Sequence, residues 1–191
     1  RSQRMPPDSF REVASMSDTL VCSLTRDLTP QKRAEALRMC YSVCHTDGHE
    51  LGFLPRMAYA RRDEWGDLLV LIRNDDLVGF TMLSKVNAYQ ELRCLQIWVR
   101  ADARMILHGR RMIDELNRLA WDRGALILRL WCAVDLEANI FWRILGFRFR
   151  GWRWGGAKFG RKHALWMRRV LRPHLTIDSH PRPAATIATS M

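Results

Sequence analysis

Three groups of residues in this sequence have the types that chemistry needs. Cys40, Cys44, His45 and His49 spell Cys-x3-Cys-His-x3-His. Thiolate and imidazole suit zinc, but structural zinc sites separate their two ligand pairs by a longer loop. On a helix Cys40 and Cys44 share a face while His45 turns about 100° away. No metal site is expected here. The stretch reads as a helix end running into a loop where His45 or His49 could meet a substrate. The second group is Arg104, Arg110 and Arg111, at the head of a predicted helix. Helix starts favour acids, so arginines there are either solvated charge or a functional exception. Third, Phe147-Arg148-Phe149-Arg150 alternates aromatic and cation, and after Gly151 the order becomes Trp152-Arg153-Trp154, shifted by one. A β-bulge at Gly151 would keep all four aromatics on one face, as a core requires. Without it, Trp152 and Trp154 join Arg148 and Arg150 on the exposed side, which suits stacking on bases.

The charge is one-sided. The chain carries 31 Lys and Arg against 20 Asp and Glu, a net +11. Residues 1–139 hold 20 basic and 19 acidic residues, whereas residues 140–191 hold 11 basic residues and the single acid Asp178. This excess is either a solvated surface that keeps the protein soluble or a surface for a polyanion. On the second reading Arg148, Arg150, Arg153, Arg168 and Arg169 form one stripe across neighbouring strands, and nucleic acid is a candidate partner held through its phosphates. The five cysteines, Cys22, Cys40, Cys44, Cys94 and Cys132, are odd in number and irregular in spacing. That pattern predicts free thiols in a reducing, cytoplasmic compartment. The longest aliphatic run, Leu68 to Ile72, falls far short of the roughly 20 residues of a membrane span, so no membrane partner is expected. Arg1 to Phe10 is polar and lacks the apolar core of a secretory signal.

The elements that must position these residues can be read from periodicity. Leu20–Leu24 is a short strand. Thr29-Pro30 is an N-cap followed by a first-turn proline, opening a helix to about Cys44. A second helix starts after Pro55 and ends near Gly66. Leu68–Ile72 and Leu77–Leu83 are strands around the turn residues Asn74-Asp75-Asp76. Leu92–Val99 is a strand and Ile106–Arg123 a helix stopped by Gly124. Ala125–Val134 is a strand, Glu137–Leu145 a short helix stopped by Gly146, and Phe147–Trp154 and Ala164–Leu171 are the last strands. The domain therefore spans residues 19–172, with a disordered lead-in over 1–18 and a disordered tail over 173–191. The mixing of helices with an extended sheet is an α/β layered domain.

The stretch from Asp75 to Phe147 resembles the GNAT (N-acetyltransferase) superfamily. The hairpin Asp75-Asp76-Leu77-Val78-Gly79-Phe80 looks like that family's second and third strands. Ile97-Trp98-Val99 followed by Arg104 to Arg111 resembles its pyrophosphate loop, Gln/Arg-x-x-Gly-x-Gly/Ala. Arg104 takes the first position and Gly109 the last, while Leu107 replaces the first glycine. Asp135 to Phe147 is similar to Asn-x-x-Ala-x-x-x-Tyr-x-x-x-Gly-Phe, with Asp135 as N-cap in the Asn place, Ala138 in the Ala place, Trp142 in the Tyr place and Gly146-Phe147 closing the motif.

The resemblance implies a mixed, mostly antiparallel central sheet flanked by helices, with a V-shaped splay between the fourth and fifth strands. It implies acetyl-CoA as co-substrate, held by Trp98, Val99, Arg104, Leu107, His108, Gly109, Arg110, Arg111, Asp135 and Trp142. Backbone N–H groups at the helix start would face the phosphates, and a strand N–H near Val99 would polarise the thioester. The expected reaction is direct attack of an amine on that thioester. The family's tyrosine is thought to protonate the departing thiolate; the indole of Trp142 cannot. Nor can Gln96 act as the glutamate base of some relatives. Glu91, Asp135, Cys132 and the hydroxyl of Tyr89 remain catalytic candidates by position. The acceptor is expected to be a small amine, a protein amine or a nucleic-acid amine, and the chain a monomer or homodimer. The alternative is a protein of the same shape that binds nucleic acid or modifies bases, with altered or lost acyl-CoA use.

Overall fold

The computed structural model describes residues 19–46, 51–52, 54–104, 106–155 and 160–173. The expected lead-in, the tail beyond residue 173 and His49 lie outside the described residues. The elements follow the expected order: β1 (Leu20–Leu24), α1 (Pro30–Thr46), α2 (Arg56–Glu64), β2 (Leu68–Arg73), β3 (Asp76–Leu83), β4 (Glu91–Val99), α3 (Ile106–Asp122), β5 (Ile127–Ala133), α4 (Ala138–Ile144), β6 (Arg148–Trp154) and β7 (Lys162–Arg169). Local chemistry sets several ends. The Thr29 hydroxyl accepts the Lys32 N–H at 3.3 Å, capping α1 ahead of Pro30. Asn74 and Asp75 take φ of 50° and 67°, the left-handed pair that a tight hairpin between β2 and β3 needs.

The seven strands form one sheet in the order β1-β2-β3-β4-β5-β7-β6. Every pairing is antiparallel except that of β4 with β5. A parallel pair needs a crossover, and α3 supplies it. Its apolar spacing lays Ile113, Leu116, Leu119 and Ala120 on Leu92, Cys94, Leu128 and Leu130, where Trp142, Phe147, Ala164 and Trp166 complete the core with α4. On the opposite face α1 and α2 bury Cys40, Val43, Cys44 and Tyr59 against Leu68, Val70, Phe80 and Met82. The α3 face is thus covered from β1 to β7. Among the described elements the α1 face is covered over β2, β3 and part of β4 only.

The edge strand β6 departs from both sequence readings. Phe149 lies opposite Trp166 and Gly151 opposite Leu165, so the extra residue of the bulge is Arg150, with Gly151 beside it at φ 149°. The bulge does bring Phe149, Trp152 and Trp154 to the α3 face, opposite Trp166, Ala164 and Lys162. Yet they stay 54%, 56% and 59% exposed, because no described element reaches beyond β7 to cover them. One shared face did not make them core.

Candidate active site

β4 and β5 pair over four rungs only, from Glu91 opposite Ile127 to Cys94 opposite Leu130. At the next residue β4 bulges: Leu83 faces Cys94 and Met82 faces Gln96, leaving Leu95 extra. A bulge bends its strand and sharpens the twist. It turns the second half of β4 away from β5, while β5 continues to Ala133 against β7. The result is a slot through the sheet between residues 95–99 and 131–133.

Alternation decides which peptide groups line that slot. The Arg100 N–H donates to the Val78 carbonyl at 2.8 Å, so the even residues from Gln96 turn toward β3. Ile97 and Val99 therefore present N–H groups to the slot. On the other wall the Val134 N–H donates to the Lys162 carbonyl at 3.0 Å, so Trp131 and Ala133 turn toward β4; the rung at Cys94 and Leu130 takes the Trp131 N–H, and that of Ala133 is left to the slot. Two carbonyls on these walls are already used. That of Val99 accepts Arg104 Nε at 2.9 Å, and that of Ala133 accepts Asn139 Nδ2 at 2.7 Å.

At the mouth of the slot a short turn, Ala101–Ala103, leads through Arg104 into α3. His108 Nδ1 lies 2.7 Å from the Ala103 carbonyl and ties the turn to the helix. Arg104, Arg110 and Arg111 are exposed, and the first turn of α3 holds no acid. Leu107 lies in that first turn; its side chain is outside what is described. Gly109 is buried, and a Cβ there would stand 2.8 Å from the Phe141 ring. So this glycine lets α4 close on the helix start, a packing role that the loop spacing alone does not reveal.

The remaining predicted residues scatter. Trp142 is 3% exposed, wedged against the rings of Phe141 and Phe147 at 5.0 and 5.4 Å, and its indole nitrogen has no hydrogen-bond partner. Cys132 is buried beside it on β5, and burial pushes the thiol up, with the Arg161 charge pulling the other way. Asp135 is not the cap of α4, as was expected. That helix starts after Glu137 with no side-chain cap, and Arg161 grips the Asp135 carboxylate at 2.8–3.1 Å instead. This hydrogen bonding holds the exposed Asp135 carboxyl below the usual carboxylate range. Asn139 anchors the helix instead, donating to the Ala133 and Leu136 carbonyls and accepting Trp166 Nε1 at 2.8 Å. Glu91 lies at the closed end of β4, eight residues from Val99, or roughly 25 Å along the strand. Tyr89, in the loop before it, is 81% exposed.

Gln96 has a role that sequence reasoning missed. It is buried, accepts the Tyr59 hydroxyl at 2.8 Å, and donates to the carbonyls of Gly52 and Leu51 at 2.9 and 3.2 Å. It thereby holds Leu51 and Gly52 against β4 on the α1 face. Cys40 and Cys44 are buried in the α1 core, and the His45 ring packs edge-on to Tyr41 at 4.5 Å. Among the described residues no three of His, Cys, Asp and Glu gather as metal ligands. A cavity of about 420 Å³ beside Trp65, Lys85 and Arg123 lies near the end of α3 away from the slot.

The predicted arginine stripe splits. Arg148 and Arg153 sit opposite Met167 and His163, and Arg169 opposite Ile127, all on the α1 face. Arg168 sits opposite Leu128 on the other face, where it donates to the Leu145 carbonyl at 3.0 Å and covers Phe147. The alternation of β7 sends neighbours 168 and 169 to opposite sides.

The model of the acetyltransferase (GNAT) family matches residues 34–147. Several crystal structures share the fold. Ard1 of Thermoplasma volcanium is 19% identical with a TM-score of 0.67, over 80% of this chain and 99% of that one. The ribosomal-protein-S18-alanine N-acetyltransferase of Escherichia coli is 16% identical with a TM-score of 0.60, over 83% and 98%. The yncA protein of Salmonella typhimurium, solved with acetyl-CoA as its cofactor, is 17% identical with a TM-score of 0.60, over 88% and 98%. At these identities the likeness is one of fold. No curated protein matches the sequence.

Proposed function

The chain belongs to the acetyltransferase (GNAT) family, and from that premise we propose that it transfers an acetyl group from acetyl-CoA to an amine. The observation that carries this reading is the slot, whose two walls turn the peptide N–H groups of Ile97, Val99 and Ala133 inward beyond the last β4–β5 rung. An acyl-pantetheine arm is an extended chain with amides and fits as a missing strand. The N–H groups of α3's first turn, with Arg104, Arg110 and Arg111, would take the pyrophosphate. The N–H of Ile97 or Val99 would polarise the thioester carbonyl. Because the donor enters from the α3 side, the amine must approach from the α1 face, where Gln96 secures Leu51 and Gly52.

In the transfer the amine nitrogen forms a bond to the carbonyl carbon, the carbon–sulfur bond breaks and the nitrogen sheds a proton. Positioning supplies most of the acceleration. Trp142 cannot give the leaving thiolate a proton, but a thiolate is far less basic than an alkoxide and leaves without one. Asp135, locked to Arg161 with its carboxyl held low, is a weak base, and Cys132 is a buried neutral thiol. Solvent therefore takes the proton, and the rate should rise with pH through the amine's own pKa.

Calorimetry with acetyl-CoA tests the donor half. We expect binding that weakens about tenfold in Arg104→Ala, the size of one charge-assisted phosphate contact of about 1.5 kcal/mol. Leu107→Gly should keep or improve the affinity. No binding at millimolar acetyl-CoA removes the proposal. A second reading, that a nucleic acid carries the acceptor amine, is favoured by Trp152 and Trp154. Both are exposed, and Lys162 lies over both rings at 4.7 and 5.0 Å. Sequence-tolerant binding of tRNA that falls by orders of magnitude between about 50 and 200 mM salt would support it. Binding indifferent to salt would not.

A further inference from the structure

The uncovered half of the α1 face holds arginines that the proposed transfer has not used. Arg93 on β4 lies opposite Arg129 on β5, Arg129 opposite Met167, and Met167 opposite Arg148. With strands about 4.8 Å apart, this is one cross-strand row of three cations. One residue pair further along, the Arg153 guanidinium stacks 4.2 Å above the Trp131 ring. The row is under-compensated. Glu91 pairs with Arg129 and accepts a second bond from Asn87. Among the described residues no carboxylate pairs with Arg93, Arg148 or Arg153. Arg93 Nε, Arg129 Nε and Trp131 Nε1 are buried donors without a partner. Burial, then the charges of Arg153 and Arg129, push the Arg93 guanidinium below its ordinary value. Partly buried cations that repel one another and keep spare donors are stabilised by an anion.

This cluster sits at the closed end of the slot, on the face from which an amine must approach. Arg93 is three to four residues from Gln96 and Ile97, or roughly 10–13 Å along β4. We propose that Arg93, Arg129 and Arg153, with the Trp131 indole N–H, bind a phosphate or carboxylate group carried by the amine acceptor about 10 Å from its reactive nitrogen. The proposal rests on the acetyl-transfer reading for the word acceptor, while the anion site itself does not depend on turnover.

Three probes of matched length test it: 6-aminohexyl phosphate, 6-aminohexanoate and 6-aminohexanol. Each is titrated calorimetrically into the protein saturated with CoA, so that the pyrophosphate loop is already filled, and each is then assayed for acetylation. The charged probes should bind at least tenfold more tightly than the alcohol, and the better of the two tells phosphate from carboxylate. Arg93→Gln and the surface change Arg153→Gln should each remove most of that advantage, raising KM rather than lowering kcat. Glu91→Gln should increase it, which a purely structural role for this ion pair would not. Equal binding of charged and neutral probes overturns the site, as does an advantage that survives both arginine changes. If CoA does not bind, or no probe is acetylated, the transfer reading fails, and the titrations still decide the anion site.

Discussion

A single added methyl shows how closely the donor loop and α4 are fitted. At Gly109 it would meet the Phe141 ring at 2.8 and 2.9 Å, on a rigid aromatic rather than a flexible tip. Gly109→Ala should therefore cost about 1–3 kcal/mol, as overpacking does. Adding Phe141→Leu to that variant should recover part of it in urea unfolding; no recovery would mean that the glycine serves the backbone alone. The motif spacing pointed to Gly109 correctly, but for its approach to phosphate. Its packing partner stands 32 residues away, and only the fold brings the two together. Gln96 is a similar case. Its amide was legible as a missing base, whereas its grip on Tyr59, Leu51 and Gly52 depends on contacts across some 40 residues of sequence. Asp135 was misread because a cap is a local inference and Arg161 is a distant competitor.

At the scale of elements, periodicity was a good guide wherever burial is one-sided. The stripe of α3, the hydrophobic runs of β2 and β3 and the turn residues between them all have local causes. Bulges are harder. Nothing in Cys94-Leu95-Gln96 announces the extra residue that opens the slot, because the same alternation fits an unbroken strand. In β6 the glycine marked the region, yet the neighbouring Arg150 takes the extra place. The start of α4 depends on one side chain: Asn139 joins the end of β5 to β7 through Trp166. Asn139→Leu should strand the buried Trp166 N–H and cost about 2 kcal/mol, with loosened acetyl-CoA binding because the arm of β5 moves. An unchanged unfolding midpoint would show that water replaces it. The β4–β5 rungs carry a pH signature as well. Burial pushes the Glu91 carboxyl up, but the Arg129 and Asn87 hydrogen bonds outweigh it and leave the group below its ordinary value. A depressed folded pKa adds stability that is full above about pH 4–5 and lost as the pH falls through the lower folded value. Glu91→Gln should flatten that acid limb of the unfolding curve; an unaltered limb would assign the acid loss to other carboxylates.

At the scale of the whole molecule, five arginines gather on the α1 face of the sheet, where few acids offset them. Arg148, Arg153 and Arg169 are late in the sequence, but Arg93 and Arg129 join them from the nearly neutral first part. Counting charge by segment therefore found the excess and missed the face on which it gathers. The four rungs between β4 and β5 have another consequence. They divide the sheet into two antiparallel blocks, β1 to β4 and β5 to β6, bridged by a narrow seam and by the helices lying across it. Such a seam is where the sheet can breathe, and its open amides should exchange with solvent deuterium faster than those on either side. A bound donor would act as a cross-brace, lending each block the hydrogen bonds its neighbour lacks. Deuterium uptake at Ile97, Val99 and Ala133 should then slow on adding acetyl-CoA, while the β2–β3 hairpin stays unchanged. Uniform slowing across the sheet would instead mean that the two blocks move as one body.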